Sequence, residues 1–235
     1  MTATVTKDTL KRVISDITDI VKNPLHDNGI YYEHDEQNIL KGYVLIIPQG
    51  ESPYQYGNYL FTIEFPTNYP YSPPSMKFMT NNGRTRMHPN LYRNGKVCLS
   101  LLNTWKGDRW TACNTLSSIL LHLATLFTDK PFLHEPGVTE SHYEFDSYTN
   151  IIRYQNFQTG VLGILTNSVN RTIRQFDDVV KENYKKNCIA IIEKVKQLYG
   201  QPSKPKISVV SFYKMEETID YGNLYLKLKE YNATI

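Results

Sequence analysis

The chain has 235 residues and a formal net charge of +3 at pH 7 without a long run of Lys or Arg, so its charge favours neither a nucleic acid nor an anionic membrane as the partner. Its three cysteines are far apart and form no Cys-x-x-Cys pair, which argues for a reducing compartment and against a zinc site or a disulfide framework. No apolar run could span a membrane and residues 1–21 lack a signal-peptide pattern, so we expect a cytoplasmic protein, with entry into the nucleus left open.

The first part of the chain predicts one helix followed by a sheet. An amphipathic helix is expected over residues 6–22, because apolar residues recur there at helical spacing and Pro24 ends the pattern. Clusters of Gly, Pro, Asn and Asp then separate short runs of β-branched and aromatic residues, which is typical of an antiparallel meander. The apolar positions of the helix are Leu10, Val13, Ile14, Ile17, Ile20 and Val21, and the expected strands lie at residues 30–32, 39–47, 59–65 and 76–79.

The second half of the chain predicts three helices and an ordered tail. The periodicity of apolar residues places the helices at residues 115–127, 147–164 and 177–199. Residues 201–206 contain two prolines and cannot continue a helix, so we interpret them as a linker. Residues 207–235 are too apolar for a solvated extension, and we expect them to pack against the third and fourth helices.

One stretch of sequence brings together groups that suit acyl transfer. Pro89 fixes its own φ and biases His88 away from helix, so Asn90 is presented from a stiff loop. The Asn-Gly turn signal at residues 94–95 then returns the chain, so that Cys98 can meet the loop. A thiol beside a neutral amide donor fits attack on a thioester carbonyl, because a preorganised donor at the developing oxyanion is worth about 10²–10³ in rate.

This arrangement resembles the hallmark of the ubiquitin-conjugating enzymes, in which a His-Pro-Asn turn is followed at this spacing by the acceptor cysteine. The similarity covers residues 5–155, including residues 65–74, which resemble the family's Tyr-Pro-x-x-Pro-Pro loop, and the helical run at 116–121. Residues 98–107 and 135–137 are most similar to the large Z-type and BRUCE-like members of the family.

The resemblance implies an α+β, UBC-like fold with an N-terminal helix, a four-stranded antiparallel meander sheet, C-terminal helices and an ordered extension. We place the conjugating core at residues 5–165 and a helical extension, packed on that core, at residues 166–235. A chain of this length is sufficient for one compact domain and an appendage.

The resemblance also implies an enzyme, an aminoacyltransferase that works through a thioester. Cys98 would accept activated ubiquitin from an activating enzyme and transfer it to a substrate lysine or to a ligase. The chain itself needs no cofactor and no metal, since ATP and magnesium act upstream on the activating enzyme. The expected partners are therefore ubiquitin, the activating enzyme, a ubiquitin ligase and protein substrates, with neither nucleic acid nor membrane among them.

Two positions expected near the thiol depart from the family pattern. Members often carry a gating Asp two residues after the cysteine, where this chain has Ser100. They also often carry an Asp before a Pro in the loop after the second helix, where the acid before a proline here is Glu135. By resemblance, Ser100 gates the site and Glu135 orients the acceptor amine. Asn90 either stabilises the oxyanion or holds the loop in place, whereas His88 and Pro89 are structural.

The resemblance places partner contacts on one helix face and in two loops. The basic face of the first helix corresponds to the surface that meets the activating enzyme, and the two loops correspond to those that meet ligases. Trp110 is expected to pack near the site. The residues concerned are Lys7, Lys11 and Arg12 for the activating enzyme, and Tyr71 and Ala112 for the ligase.

Three alternatives remain open at this stage. The chain could conjugate another ubiquitin-like modifier, which a test with different activating enzymes would reveal. It could be a modifier-binding variant without catalysis, although such variants typically lack the cysteine that this chain has at Cys98. A cysteine hydrolase that pairs Cys98 with His88 would have to turn over a peptide or ester without any activating enzyme.

Overall fold

The structure, a computed structural model, describes residues 5–169, 172–200 and 205–235. Helix α1, Lys7–Lys22, begins where the Thr6 side chain accepts a hydrogen bond from the Thr9 amide at 3.1 Å. Its buried side includes Val13 and Ile20 and also a carboxylate, Asp16, which is 5% exposed. The predicted apolar stripe was wrong at two positions, Ile14 and Val21, which are 50% and 69% exposed.

The sheet confirms the predicted meander and the α+β class. Its four strands are antiparallel and follow one another in chain order, so each is hydrogen-bonded to the next. Neighbouring residues of one strand point to opposite faces, and both faces are covered: Val44 and Phe61 enter one core, whereas Leu45 and Leu60 enter another. The strands are β1, Ile30–His34; β2, Lys41–Ile46; β3, Tyr59–Glu64; and β4, Ser75–Phe78.

Three helices follow the sheet, close to where the apolar periodicity predicts them. Helix α2, Leu116–Ala124, begins at a capping box in which Thr115 and Ser118 satisfy each other's backbone amides. Helix α3, Phe145–Gln155, runs on as a wider helical turn over Asn156–Gly163, so the single helix predicted at 147–164 is divided between two helical forms. Helix α4, Asp177–Tyr199, has the predicted bounds.

The extension is ordered, as predicted, but it is not purely helical. Strands β5, Lys206–Val210, and β6, Met215–Ile219, form an antiparallel hairpin, and helix α5, Tyr221–Asn232, follows. The hairpin lies on α3, and α5 lies along α4, which confirms the predicted packing. The "helical" label was wrong for the hairpin because its alternating pattern, with exposed Ile207 and Val209, is too short and too solvent-facing to stand out. Most of the predicted linker, residues 201–204, lies outside the described residues.

The hairpin shares a core with the sheet and the helices that precede it. Val210 and Met215 are buried in the same cluster as the inner face of the sheet, α2 and Tyr148. The domain boundary between residues 165 and 166 therefore stays a prediction. Residues from both sides of it pack in one core. Within the described ranges, no helix combines the length and the apolarity that crossing a membrane requires, and no group of three or more His, Cys, Asp or Glu residues has metal-binding geometry.

Candidate active site

The site is built on the buried His-Pro-Asn turn. His88 is completely buried, and its Nδ1 accepts a hydrogen bond from the Asn90 amide at 3.0 Å. The Leu91 amide donates to the His88 carbonyl oxygen at 2.9 Å, which closes the turn around the rigid, buried Pro89. His88 and Pro89 are thus placed as structural residues of a tight turn.

Asn90 and Cys98 are joined by a pair of hydrogen bonds. The Cys98 amide donates to the Asn90 carbonyl oxygen at 2.9 Å, and the Asn90 side-chain Nδ2 donates to the Cys98 carbonyl oxygen at 2.8 Å. Both residues are buried, Cys98 being 1% exposed and Asn90 4%. The turn and the thiol segment therefore meet as the sequence predicts, and in this geometry the amide of Asn90 holds the backbone at Cys98.

A loop after the cysteine, residues 103–109, folds back over the thiol segment, and we call it the covering loop. Thr104 Oγ1 accepts from the Leu99 amide at 2.9 Å and donates to the Val97 carbonyl at 3.0 Å. Gly107 has a φ of +127°, and a Cβ there would lie 3.1 Å from Cβ of Ser100. Ser100 is 8% exposed, so the predicted gate position faces the covering loop and not open solvent.

Trp110 connects the segment after Cys98 to the proline-rich loop at residues 66–74. Its Nε1 donates to the Pro70 carbonyl oxygen at 2.6 Å, and its ring lies 5.7 Å from the Tyr69 ring, centroid to centroid. The Trp110 amide also donates to Asn103 Oδ1 at 3.0 Å, which ties it to the covering loop. Trp110 is 8% exposed and packs near the site, as predicted.

The family profile described as "Ubiquitin-conjugating enzyme" matches residues 12–153, which include the turn, the thiol and Trp110. The chain belongs to the ubiquitin-conjugating enzyme family. It is 38% identical over 157 residues to the Ubiquitin-conjugating enzyme E2 Z of Xenopus tropicalis, which covers 66% of this chain and 50% of that protein. The E2 Z of Homo sapiens is 36% identical over 159 residues, or 66% of this chain and 44% of that one.

A second kind of relative is the "Dual E2 ubiquitin-conjugating enzyme/E3 ubiquitin-protein ligase BIRC6" of Homo sapiens. It is 35% identical over 120 residues, which cover 48% of this chain and 2% of that protein. The predicted likeness to Z-type and BRUCE-like ubiquitin-conjugating enzymes is therefore confirmed. The chain spans about half the length of the E2 Z relatives that it matches.

The three residues of the predicted basic face on α1 have different environments. Lys7 and Lys11 are exposed and remain candidates for contact with an activating enzyme. Arg12 is instead engaged within the protein: its guanidinium donates to the carbonyl oxygens of Ala112, at 2.7 Å, and Asn114. It also pairs with buried Asp16 at 3.1 Å. Arg12 thus fixes α1 to the loop before α2, and its contact with an activating enzyme stays a prediction.

The two loop residues predicted to meet a ligase are exposed. Tyr71 is 79% exposed, which is unusual for so large an aromatic side chain. Ala112 is also exposed, although its carbonyl oxygen is occupied by Arg12. Trp110, two residues before Ala112, donates to the carbonyl of Pro70, next to Tyr71, so the two loops are linked.

Glu135 follows a residue that packs on the His-Pro-Asn turn, and its carboxylate is already bonded. It follows a short turn, Pro131–His134, and the His134 ring packs 4.7 Å from the His88 ring, centroid to centroid. Glu135 Oε2 accepts a hydrogen bond from the hydroxyl of Tyr213, in the hairpin of the extension. The sequence pattern missed Tyr213 entirely, since an aromatic residue 78 positions later gives no local signal of this contact.

Burial controls the protonation of the histidines at the site. It lowers the pKa of His88 well below its usual range, and the nearby His134 and Arg86 act in the same direction. Burial also lowers the pKa of His134. The imidazole of His88 is therefore neutral in the folded protein at pH 7, as its acceptance of the Asn90 amide requires.

Proposed function

We propose that this chain is a ubiquitin-conjugating enzyme that carries ubiquitin as a thioester on Cys98 and acts in the cytoplasm. The observation that supports this most directly is the pair of hydrogen bonds between Asn90 and Cys98, which holds a thiol against the His-Pro-Asn turn. Membership of the family and the similarity to E2 Z proteins support the choice of ubiquitin as the modifier.

In this proposal, charging exchanges one thioester for another. The Cys98 thiolate attacks the carbonyl carbon at the C terminus of ubiquitin, which is bound to a cysteine of the activating enzyme. A C–S bond to Cys98 forms, the C–S bond to the activating enzyme breaks, and that enzyme's cysteine leaves as a thiolate. Because the bonds made and broken are of the same kind, the exchange is nearly isoenergetic and needs no cofactor or metal in this chain.

Discharge then passes ubiquitin to an amine or to a ligase. The amine nitrogen of a lysine attacks the thioester carbonyl, a C–N bond forms, and the Cys98 thiolate leaves while the amine gives up one proton. A free lysine has a pKa of about 10.4, so its deprotonation near neutral pH costs about 4 kcal/mol unless the site assists. We assign Glu135, beside the catalytic turn, to orienting this amine, and Tyr71 and Ala112 to contact with a ligase.

The burial of Cys98 adds one requirement to the proposed reaction. At 1% exposure the residue cannot meet the C terminus of ubiquitin without some movement of its surroundings. We take the covering loop as the segment that moves, because Thr104 bonds to Val97 and Leu99 on either side of Cys98, and residues 103–107 line a surface depression of about 570 Å³ with Pro136. We therefore expect the covering loop to shift when ubiquitin is loaded.

The test is a charging assay with ubiquitin, an activating enzyme and Mg-ATP, read on non-reducing gels. We expect a thiol-sensitive adduct with the wild-type chain that disappears in Cys98→Ala and persists in the matched control Cys113→Ala, whose cysteine is exposed. Cys98→Ser should give an adduct that resists thiol, because an oxyester replaces the thioester. An adduct that survives Cys98→Ala, or no adduct with ubiquitin at all, would contradict the proposal; charging by a different ubiquitin-like protein would redirect it.

A further inference from the structure

The turn of the C-terminal hairpin, residues 211–214, is fixed in place from two sides. The buried carboxylate of Glu144 accepts hydrogen bonds from the amides of Ser211, at 2.6 Å, and Phe212, at 3.2 Å. The guanidinium of Arg93 donates to the carbonyl oxygens of Tyr213 and Lys214. Since these are charge-assisted bonds to backbone groups, the hairpin turn has a defined position relative to the catalytic domain.

Tyr213 projects from this turn into the domain. Its ring packs 5.8 Å from Phe132 and 5.7 Å from Tyr148, centroid to centroid. Its hydroxyl donates to Oε2 of Glu135. Burial and this hydrogen bond both raise the pKa of Tyr213 far above its usual range, so the hydroxyl remains a donor at every physiological pH.

Arg86 links the same tyrosine to the His-Pro-Asn turn. Its guanidinium lies between two rings, 3.3 Å from the centroid of Tyr92 and 5.0 Å from that of Tyr213. Nε and Nη2 of Arg86 donate to the Pro89 carbonyl oxygen at 3.2 and 2.5 Å. The Arg86 amide in turn donates to the sulfur of Met215 at 3.1 Å. The hairpin therefore contacts both Glu135, whose neighbour His134 packs on the His-Pro-Asn turn, and Arg86, which holds that turn.

The chain neighbours of Glu135 contact the His-Pro-Asn turn on one side and line a depression with the covering loop on the other. His134, before it, packs on His88 of the turn, and Pro136, after it, faces the covering loop. A carboxylate at this place is suited to accept a hydrogen bond from an incoming amine, provided that it is held in one orientation. Within the described residues, the hydroxyl of Tyr213 is the group that holds it.

We propose that Tyr213 is a positioning residue for discharge of the thioester to an amine. It fixes the carboxylate of Glu135 and, through Arg86, supports the carbonyl of Pro89, while it touches neither ubiquitin nor the acceptor. This inference rests on the proposed function and extends it, because it assigns to the extension a part in the second half of the reaction. Charging exchanges one thioester for another, involves no acceptor amine, and therefore does not depend on the Tyr213 hydroxyl.

The test separates charging from discharge in Tyr213→Phe, which removes the hydroxyl and keeps the ring. The full chain is charged with ubiquitin, the activating enzyme is stopped, free lysine is added, and loss of the thioester is followed in a single turnover from pH 6.5 to 9. Tyr143→Phe is the matched control, because it removes a hydroxyl from a tyrosine that is 82% exposed. We expect normal charging and a three- to tenfold slower discharge for Tyr213→Phe, with no change for Tyr143→Phe.

A double mutant distinguishes positioning from a general structural effect. Glu135→Gln should also slow discharge, and Tyr213→Phe in that background should slow it no further, because the two residues act as one unit. Fully additive effects, or discharge that is unchanged or faster in Tyr213→Phe, would overturn the inference and leave the proposed function standing. A wild-type chain that never charges would remove the proposed function, and this inference with it.

Discussion

The side-chain amide of Asn90 donates a 2.8 Å hydrogen bond to the backbone carbonyl oxygen of Cys98, and the Cys98 amide donates one of 2.9 Å to the carbonyl of Asn90. The loop that carries the amide and the segment that carries the thiol therefore form one unit. Because a buried carbonyl left without its donor costs free energy, the orientation of Asn90 contributes to folding whatever it does in catalysis.

This geometry predicts that Asn90→Ala lowers both stability and activity. We expect the free energy of unfolding to fall by about 1–3 kcal/mol, because the buried carbonyl of Cys98 loses its side-chain donor. Urea denaturation monitored by fluorescence, beside single-turnover discharge of Cys98, measures the two effects. A variant that is as stable as the wild type and yet slow in discharge would show that Asn90 acts on the oxyanion alone.

The neutral, buried His88 predicts a loss of stability on the acid side. Its pKa is well below the usual value in the folded protein and about 6.5 in the unfolded chain, so the unfolded state binds more protons as the pH falls below about 6.5. The stabilising contribution is complete above that pH and decreases below it, by at most about 1.4 kcal/mol per pH unit for one histidine.

Urea denaturation at pH 7.5, 6.0 and 5.0 tests this expectation. His88→Asn should flatten the pH dependence, because it removes the buried imidazole. Equal slopes for His88→Asn and the wild type would contradict the assignment of a depressed pKa to this residue.

The contacts of Arg12 predict that it behaves differently from Lys7 and Lys11 of α1. Arg12→Ala removes the donor to the carbonyls of Ala112 and Asn114 and the cationic partner of buried Asp16, so it should cost about 1–3 kcal/mol of stability. The double variant Lys7→Ala/Lys11→Ala should stay within about 0.5 kcal/mol of the wild type and slow charging by the activating enzyme. Thermal unfolding and initial charging rates measure both, and a stable Arg12→Ala would refute the structural role.

Exposure predicts the order in which the thiols react. Iodoacetamide should modify exposed Cys113 well before Cys98, which is 1% exposed, as peptide mass spectrometry at early times would show. Gly107→Ala should speed labelling of Cys98, because an alanine at φ +127°, 3.1 Å from Ser100, strains the covering loop. Labelling of Cys98 first in the wild type would mean that the covering loop is open in solution.

The exposure of Tyr71 predicts that its substitution affects contact with a ligase and leaves the stability of the fold unchanged. Because the side chain is 79% exposed, Tyr71→Ala should change the free energy of unfolding by less than about 0.5 kcal/mol. If its loop meets a ligase, ligase-stimulated discharge should fall severalfold while discharge to free lysine is unchanged. The exposed Tyr143→Ala serves as the control, and an equal response of the two variants would exclude a specific contact at Tyr71.

The elements that could be predicted from the sequence are those whose signals are local. The bounds of α4 follow from apolar residues that recur every three or four positions. The four strands follow from turn residues that separate short apolar runs. The pairing of Asn90 with Cys98 follows from a rigid turn and a short return segment. In each case the decisive residues lie within about one element of each other, where spacing determines geometry.

The features that the sequence could not reveal depend on partners far along the chain. The buried side of α1 includes Asp16 because Tyr69, 53 residues later, donates to its carboxylate, while Arg12 pairs with it from the same helix. The contact between Glu135 and Tyr213 spans 78 residues. The periodicity of a sequence cannot predict such pairings, because they form only when separate elements pack together.

Val210 and Met215 are buried in the core that contains Tyr148 and the inner face of the sheet, beside the turn that holds Asn90. A ribosome delivers Cys98 and its turn more than a hundred residues before it delivers the end of this hairpin. During synthesis, the nascent chain therefore contains Cys98 and the His-Pro-Asn turn before it contains the hairpin that packs beside them. Its core closes only after the hairpin has emerged, so loss of the hairpin in translation or by proteolysis would leave apolar surface open for chaperones and proteases to recognise.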